Sequence, residues 1–256
     1  MCAIIGFTTK SRPREEVQDY LDRRKIRRST AVNFGLGASL DSWDALILAM
    51  TKKGYTKSEL LEAGLAVQNR SGGIYDKFRS RLMFPVIDVR GDVVAFGGRV
   101  LDKSEPKYMN SSETPVYSKR RVLYGLNLAK KSKRPNIILC EGNIDVVTLH
   151  QAGFDNAVAS MGTALTVEQT RLLSRYTKEL VLCYDNDTAG QMATEKAIAL
   201  LEDSEFTVRV LQLPRRLVDG VYSKQDVDDF IKLHGPAAFE ALLNGSENQM
   251  DFRMEA

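Results

Sequence analysis

Three short apolar runs in the second half of this 256-residue chain, each followed by carboxylates, constrain its fold more than any other feature. Asn136-Ile-Ile-Leu-Cys140 stops at Glu141-Gly142, and Glu179-Leu-Val-Leu-Cys-Tyr184 stops at Asp185-Asn186-Asp187. Thr207-Val-Arg-Val-Leu-Gln-Leu213 is the third, followed by a loop carrying Asp226-Val227-Asp228. A brief apolar run with a polar stop reads as a strand buried on both faces of an α/β sheet. Ligands of open α/β sheets sit outside the carboxyl ends of the strands. Three such ends place Glu141, Asp185, Asp187, Asp226 and Asp228 along one rim. That concentration of negative charge calls for cations, and hard oxygen ligands suit Mg²⁺ or Mn²⁺. Acidic residues favour solvated loops in any fold. An Asp-x-Asp that directly ends an apolar run is the more specific signal.

Between the runs lie segments of helical length: Ile144 to Gln151, Val167 to Arg175, Ala189 to Leu201 and Val227 to His234. Strands alternating with helices predict a mainly parallel sheet covered by helices. The first half reads differently. Residues 14–64 suggest short helices: Val17, Tyr20 and Leu21 fall at helical spacing, Asp41-Ser42 is placed to cap Trp43 to Lys53, and Lys57 to Glu62 follows a Gly-Tyr-Thr break. From Leu82 the pattern becomes β, with Leu82 to Asp88, a hairpin turn over Val89-Arg-Gly-Asp92, then Val93 to Val100. Trp43 and Phe34 are expected to pack the helical part. The basic connector Lys130 to Pro135 is the best boundary. The expected fold is therefore α/β, with an α+β subdomain over 1–134, a catalytic α/β domain over 135–245, and the start of a helical segment or tail over 246–256.

Composition narrows the class. No apolar stretch approaches the roughly 20 residues of a membrane span, and the apolar start Met1 to Phe7 is too short for a signal-peptide core. A cytoplasmic protein with no membrane partner is expected. Cys2, Cys140 and Cys183 form neither a disulfide framework nor a zinc site, and the last two lie inside predicted strands as small buried hydrophobes. His150 and His234 are solitary and read as ordinary helix residues. The net charge of +3 is unevenly spread: residues 1–134 hold 26 Lys+Arg against 14 Asp+Glu, and residues 135–256 hold 10 against 19. A half at +12 beside a half at −9 suits a polyanion track associated with a metal-binding centre. Gly97-Gly98-Arg99 offers one guanidinium beside a backbone with little side-chain bulk, suited to a phosphate. Lys107, Tyr108 and Asn110 combine charge, a ring and an amide, a mixture suited to single strands held without strong sequence readout. For Tyr108, core packing and stacking are both open.

Glu141-Gly-Asn-Ile-Asp145, then Asp185-x-Asp187, then a further acidic pair resembles a Toprim domain. The blocks SRLMFPVIDVRGDVVAFGGRVLD, PKYMNSSETPVYSKRRVLYGL, EGNIDVVTLHQAGFDNAVASMGTALT and CYDNDTAGQMA resemble the RNA polymerase core of bacterial DNA primase. FGLGASLDSWDALILAMTKKGYTKSELLEAGL is similar to that core's N-terminal subdomain, and the resemblance covers roughly residues 14–245. It implies a primosome enzyme of DNA replication, a nucleotidyltransferase making short RNA primers on a single-stranded DNA template. The implied ligands are ribonucleoside triphosphates, the primer–template hybrid and two or more Mg²⁺ or Mn²⁺ ions. Lys119 falls in the block that matches the family's basic ridge. The chain departs from the pattern where Asn143 and Ile144 replace the middle of the family's EGYMD, and where Val227 replaces a common proline. The family's zinc domain has no counterpart in the sequence, so no zinc is expected. Its helicase-binding domain has none either, although a replicative helicase is the family's partner.

The chemistry implied assigns roles. Asp185 and Asp187, alternate residues of an extended segment, are expected to share a face and hold one ion jointly. Asp226 and Asp228 are expected to form a second acidic wall. Glu141 is the candidate to hold a metal beside the reacting hydroxyl or to act as general base, and Gly142 lets the turn approach the site. Asp145, one turn into the next helix, is expected to orient Glu141 or a neighbouring base. A Toprim nuclease, or a nucleic-acid-binding remnant with weak turnover, are the alternatives.

Overall fold

The computed structural model describes residues 13–102, 104–162, 164–214, 216–218, 221–223 and 225–248. These fall into two compact units. The described residues of the first run to Ile87 and from Gly91 to Ser118; the second comprises Asp88–Arg90 and the chain from Lys119 on. The connector at 130–135 therefore lies within the second unit.

The first unit opens with helices α1 (Pro13–Arg23) and α2 (Arg28–Asn33). Val17, Tyr20 and Leu21 are buried, as their spacing predicts. The short strand β1 (Gly37–Ala38) precedes α3 (Ala45–Lys52) and α4 (Lys57–Glu62). Helix α4 begins where the Gly-Tyr-Thr break predicts it. Thr56 and Glu59 form a reciprocal capping box, each side chain bonding the other's backbone N–H. A ribbon of β2 (Ala66–Gln68) and β3 (Ile74–Asp76) follows, then β4 (Arg81–Ile87), β5 (Val93–Val100) and β6 (Tyr108–Asn110). Strands β1, β4, β5 and β6 form an antiparallel sheet in the order β1-β4-β5-β6. The predicted β4–β5 hairpin turns at Gly91, whose φ of 101° favours glycine. Ile47, Met50, Leu60, Phe78, Met83 and Phe96 form one core cluster.

The second unit begins with α5 (Leu126–Ala129) and the central strand β7 (Asn136–Cys140), every residue of which is buried. Helix α6 (Asn143–Gln151) leads to β8 (Ala157–Ala159), and α7 (Val167–Leu173) to β9 (Glu179–Cys183). Helix α8 (Thr188–Leu201) then leads to β10 (Thr207–Val210). A ribbon of β11 (Arg216–Val218) and β12 (Val221–Ser223) precedes α9 (Val227–Asn244), and β13 (Glu247–Asn248) closes the described chain. The sheet order is β13-β10-β9-β7-β8, with β10, β9, β7 and β8 parallel and β13 antiparallel at the edge. This is the α/β architecture the alternation predicts. Leu139, Leu180, Leu182, Ile198, Leu201 and Val208 belong to its core. Burying each such side chain contributes about 1.5–3 kcal/mol.

Several details depart from the expectations. Strand β8 has only three residues and no carboxylate after it, so the signal that marks the other strands is missing there. The predicted helix 227–234 continues to Asn244 across a kink at Gly235 (φ 80°) and Pro236. Strand β10 ends at Val210, before the predicted Leu213. His150 joins helix to sheet through its Nε2 and the Ala157 carbonyl oxygen, 2.9 Å apart, and burial pushes its pKa down. Cys140 and Cys183 are buried register partners on β7 and β9; Cys2 lies outside the described residues.

Candidate functional site

The β7–β9 register sets the geometry of the acidic rim. Cys140 pairs with Cys183, so the residues that follow, Glu141 and Tyr184-Asp185, leave the sheet side by side. The half-buried Glu141 accepts the Asp185 backbone N–H at its Oε1, 3.1 Å away. One strand end thus braces the next. Gly142 opens α6, and its N–H donates to Asp145 Oδ2 at 3.2 Å. A Cβ on Gly142 would stand 2.8 Å from that same oxygen, so any other residue there would displace the Asp145 carboxylate. Asp145 consequently holds the backbone immediately after Glu141.

Asp145 is also an electrostatic gauge of the site. Burial, then the charges of Asp226, Asp185 and Asp228, push its carboxyl well above the usual range, against the stabilising Gly142 N–H. Asp145 therefore feels the charge of three other acidic residues.

Asp187 behaves differently from the expectation. The segment 185–187 is loop rather than strand, and Asp187 is the N-cap of α8, its Oδ1 accepting the Gly190 N–H at 2.9 Å. Alternation along a strand therefore does not determine where Asp185 and Asp187 point. Asn186 ties the loop to the chain beyond β10 by donating to the Leu213 carbonyl at 3.1 Å. Gly190 is the residue that sequence reading missed. A Cβ there would lie 1.9 Å from the Asp185 carbonyl oxygen and 2.9 Å from Glu141 Oε1. Only glycine lets α8 enter the rim so closely.

The third acidic group lies on a helix instead of at a strand end. After β10 the chain forms the β11–β12 ribbon, and Asp226 then caps α9, accepting the Asp229 N–H at 2.7 Å. Asp228, 0% exposed, accepts the Thr148 hydroxyl at 2.7 Å and pairs with Lys232 one turn on. Side-chain oxygens of Asp226, Asp228 and Asp229 lie within 4.8 Å of one another, a group able to hold a cation. Asp229 was not expected from the sequence; its signal is the run of three carboxylates within one capping turn. The donors are hard carboxylate oxygens and the site's negative charge raises Asp145, so the residues fit a divalent metal ion.

On the first unit, Arg99 and Tyr108 are register partners on β5 and β6. Arg99 Nε donates to the Tyr108 hydroxyl at 3.1 Å, and its guanidinium lies 4.7 Å from the Tyr20 ring centroid and 5.6 Å from that of Tyr108. Lys107 is exposed beside the Tyr108 ring, which is 43% exposed and so outside the core. Asn110 is half-buried opposite Gly97. Gly97 and Gly98 are buried, contrary to the open backbone expected. A Cβ on Gly98 would meet Phe78 and Arg81 at 2.9 Å, so that glycine makes room for packing. Lys119 is exposed and begins the second unit, where its carbonyl accepts from Gln169 at 3.0 Å.

Trp43 is the clearest correction. It is 64% exposed, whereas Phe34 is buried as expected. Its ring meets Tyr75 edge to face at 5.3 Å, and the Arg79 guanidinium lies 4.0 Å from its centroid. The expectation failed because α3 starts at Ala45, leaving Trp43 on the approach to the helix instead of its apolar face.

The parallel sheet with carboxylates at the strand ends defines a Toprim-like domain, and a model of Toprim-like domains matches residues 138–231. A second model, the N-terminal domain of the DNA primase catalytic core, matches residues 6–130. A DNA primase of Clostridium acetobutylicum is 44% identical over 240 residues, covering 93% of this chain and 39% of that protein. Among solved structures, the E. coli primase catalytic core is 34% identical with a TM-score of 0.85, covering 96% of this chain and 77% of that one. A DnaG primase catalytic domain bound to single-stranded DNA is also 34% identical, with a TM-score of 0.82 and coverage of 93% and 74%. This chain belongs to the bacterial DNA primase family, as part of its DnaG-type catalytic core. It spans about two fifths of the length of its curated relatives.

Proposed function

We propose that this chain is a DNA-dependent RNA polymerase of the primase type, building short RNA primers on single-stranded DNA at the replication fork beside the replicative helicase. The observation that carries this reading is the acidic rim, in which Glu141 bonds Asp185 while Asp145 feels Asp185, Asp226 and Asp228. Two or more Mg²⁺ or Mn²⁺ ions bound there would neutralise the triphosphate and lower the pKa of the attacking hydroxyl. Glu141, Asp185, Asp187, Asp226 and Asp228 are the candidate ligands.

In the reaction a primer 3′-hydroxyl oxygen bonds to the α-phosphorus of a ribonucleoside triphosphate, and the bond to pyrophosphate breaks. Glu141 is assigned to receive or hold the hydroxyl proton as base, or to serve as ligand beside it. Asp145 fixes the Gly142 backbone and so the reach of Glu141. Asp228, already paired with Lys232 and Thr148, contributes less net charge than an unpaired carboxylate and anchors α9 under the rim. Arg99, Lys107, Tyr108 and Asn110 on the first unit are assigned to the template or the primer–template hybrid, and Lys119 on the second unit is assigned to nucleic acid. The exposed Trp43, with Tyr75 and Arg79, offers a ring for base stacking and a guanidinium for phosphate. Among the described residues no helix is long and apolar enough to cross a membrane.

The test is incubation with single-stranded DNA, labelled ribonucleotides and Mg²⁺ or Mn²⁺. Ribonucleotide ladders that vanish in Glu141→Gln support the reading. Shortened DNA without ladders would replace it with a nuclease.

A further inference from the structure

We infer that Asp76 is the positioning residue that presents Trp43, Tyr75 and Arg79 to single-stranded DNA, an inference that rests on the template-binding reading of that surface. Helix α3 needs a cap, and its neighbourhood does not provide one. Asp44 occupies the N-cap position with φ −147° and ψ 6° and makes no capping bond, while Ser42 donates to Asp44 Oδ1 at 3.2 Å. The anticipated Asp41-Ser42 cap is therefore absent among the described residues. Asp76, from the end of β3, takes its place. Its Oδ2 accepts the Leu46 N–H at 2.7 Å and its Oδ1 the Ile47 N–H at 3.0 Å.

The backbone of the same residue completes the clamp. The Asp76 N–H donates to the Trp43 carbonyl at 2.7 Å, and the Asp76 carbonyl accepts from Arg79 Nη1 at 2.5 Å. One residue, 3% exposed, thus holds the helix start after Trp43, the Trp43 backbone and the Arg79 side chain. Tyr75 precedes it directly, so the clamp also sets the ring that meets Trp43 edge to face. Arg79 lies 4.0 Å from the Trp43 centroid and 5.1 Å from that of Tyr75. A carboxylate serving only the helix could come from the local N-cap. Placed on β3, it ties the exposed Trp43 and the half-buried Tyr75 and Arg79 into one geometry. An exposed ring held in place loses less conformational freedom when a base stacks on it than a mobile one would.

Trp43 is the sole tryptophan of the chain, so its fluorescence reports this surface alone. Asp76→Asn keeps the shape and one acceptor oxygen but turns an amide N–H₂ toward a backbone donor. In that variant Trp43 anisotropy should fall and acrylamide quenching rise. Affinity for a labelled oligothymidylate should drop roughly tenfold, about as far as in Trp43→Ala, the range of one lost base stack. The loss should fall on the template concentration giving half-maximal synthesis more than on the maximal rate. The Trp43→Ala/Asp76→Asn double variant should lose clearly less than the sum of the two single losses, because Asp76 acts in part through Trp43. Parent-like affinity in Asp76→Asn beside a weakened Trp43→Ala would overturn the role of Asp76 and leave the template surface standing. Parent-like affinity in Trp43→Ala would instead remove the surface from template binding. If Asp76→Asn unfolds, the same pair of comparisons is made with Tyr75→Ala and Arg79→Ala, and additive losses with Trp43→Ala would show that the three groups do not act as the unit Asp76 was inferred to hold.

Discussion

Gly190→Ala should damage both stability and chemistry, against the ordinary effect of this change. In a helix interior, alanine is favoured over glycine by about 1 kcal/mol. Here the added Cβ would stand 1.9 Å from the Asp185 carbonyl oxygen and 2.9 Å from Glu141 Oε1. The first contact is backbone, so no rotamer change relieves it. Restoring ordinary van der Waals separation requires α8 and the Asp185 loop to part by about 1.5 Å, and such overpacking costs about 1–3 kcal/mol. For a chain of this size that is roughly 2–12 °C of melting temperature. The movement falls on residues placed at the metal rim: Asp187 caps α8 through the Gly190 N–H, and Asp185 is braced by Glu141. Displacements near 1 Å at reacting groups cost about a hundredfold in rate. Thermal unfolding without metal, together with primer-ladder rates across a Mg²⁺ titration, measures both effects. A Gly190→Ala protein as stable and active as the parent would refute the close approach of α8 and the role assigned to it.

The cap role of Asp187 separates two substitutions: Asp187→Asn should keep the fold and lose nucleotide addition, whereas Asp187→Ala should also lose about 1 kcal/mol by denaturant titration. Asp228→Ala should destabilise by about 3 kcal/mol or more, because it leaves Lys232 without its buried partner; the comparison is urea unfolding beside Asp226→Ala, whose half-buried cap is worth less. Asp145 has its folded pKa raised, so without metal its contribution to stability falls as pH rises from the unfolded carboxylate value through the folded one. Asp145→Asn should flatten that slope in metal-free melts at a series of pH values, and saturating Mg²⁺ should flatten it in the parent.

The sequence by itself determined the parallel sheet, the strand ends that carry Glu141 and Asp185, and the helices between them. Those features are written in periods of a few residues: buried runs such as Ile137 to Cys140, polar stops, and local caps such as Thr56 with Glu59. It also determined the family, because long blocks of matching residues are a one-dimensional signal. Tertiary structure alone decided what each carboxylate does. Glu141 came to brace Asp185, Asp228 met Thr148, and Asp145 came to feel Asp226 and Asp228, since those outcomes depend on how β7 meets β9 and α6 meets α9. The same holds for Trp43. Its exposure follows from a helix start that is set by Asp76, thirty residues further along, and no local pattern encodes a partner at that distance. Gly190 and Gly98 are the limiting cases: a missing side chain is informative only when the atoms that would collide with it are in place.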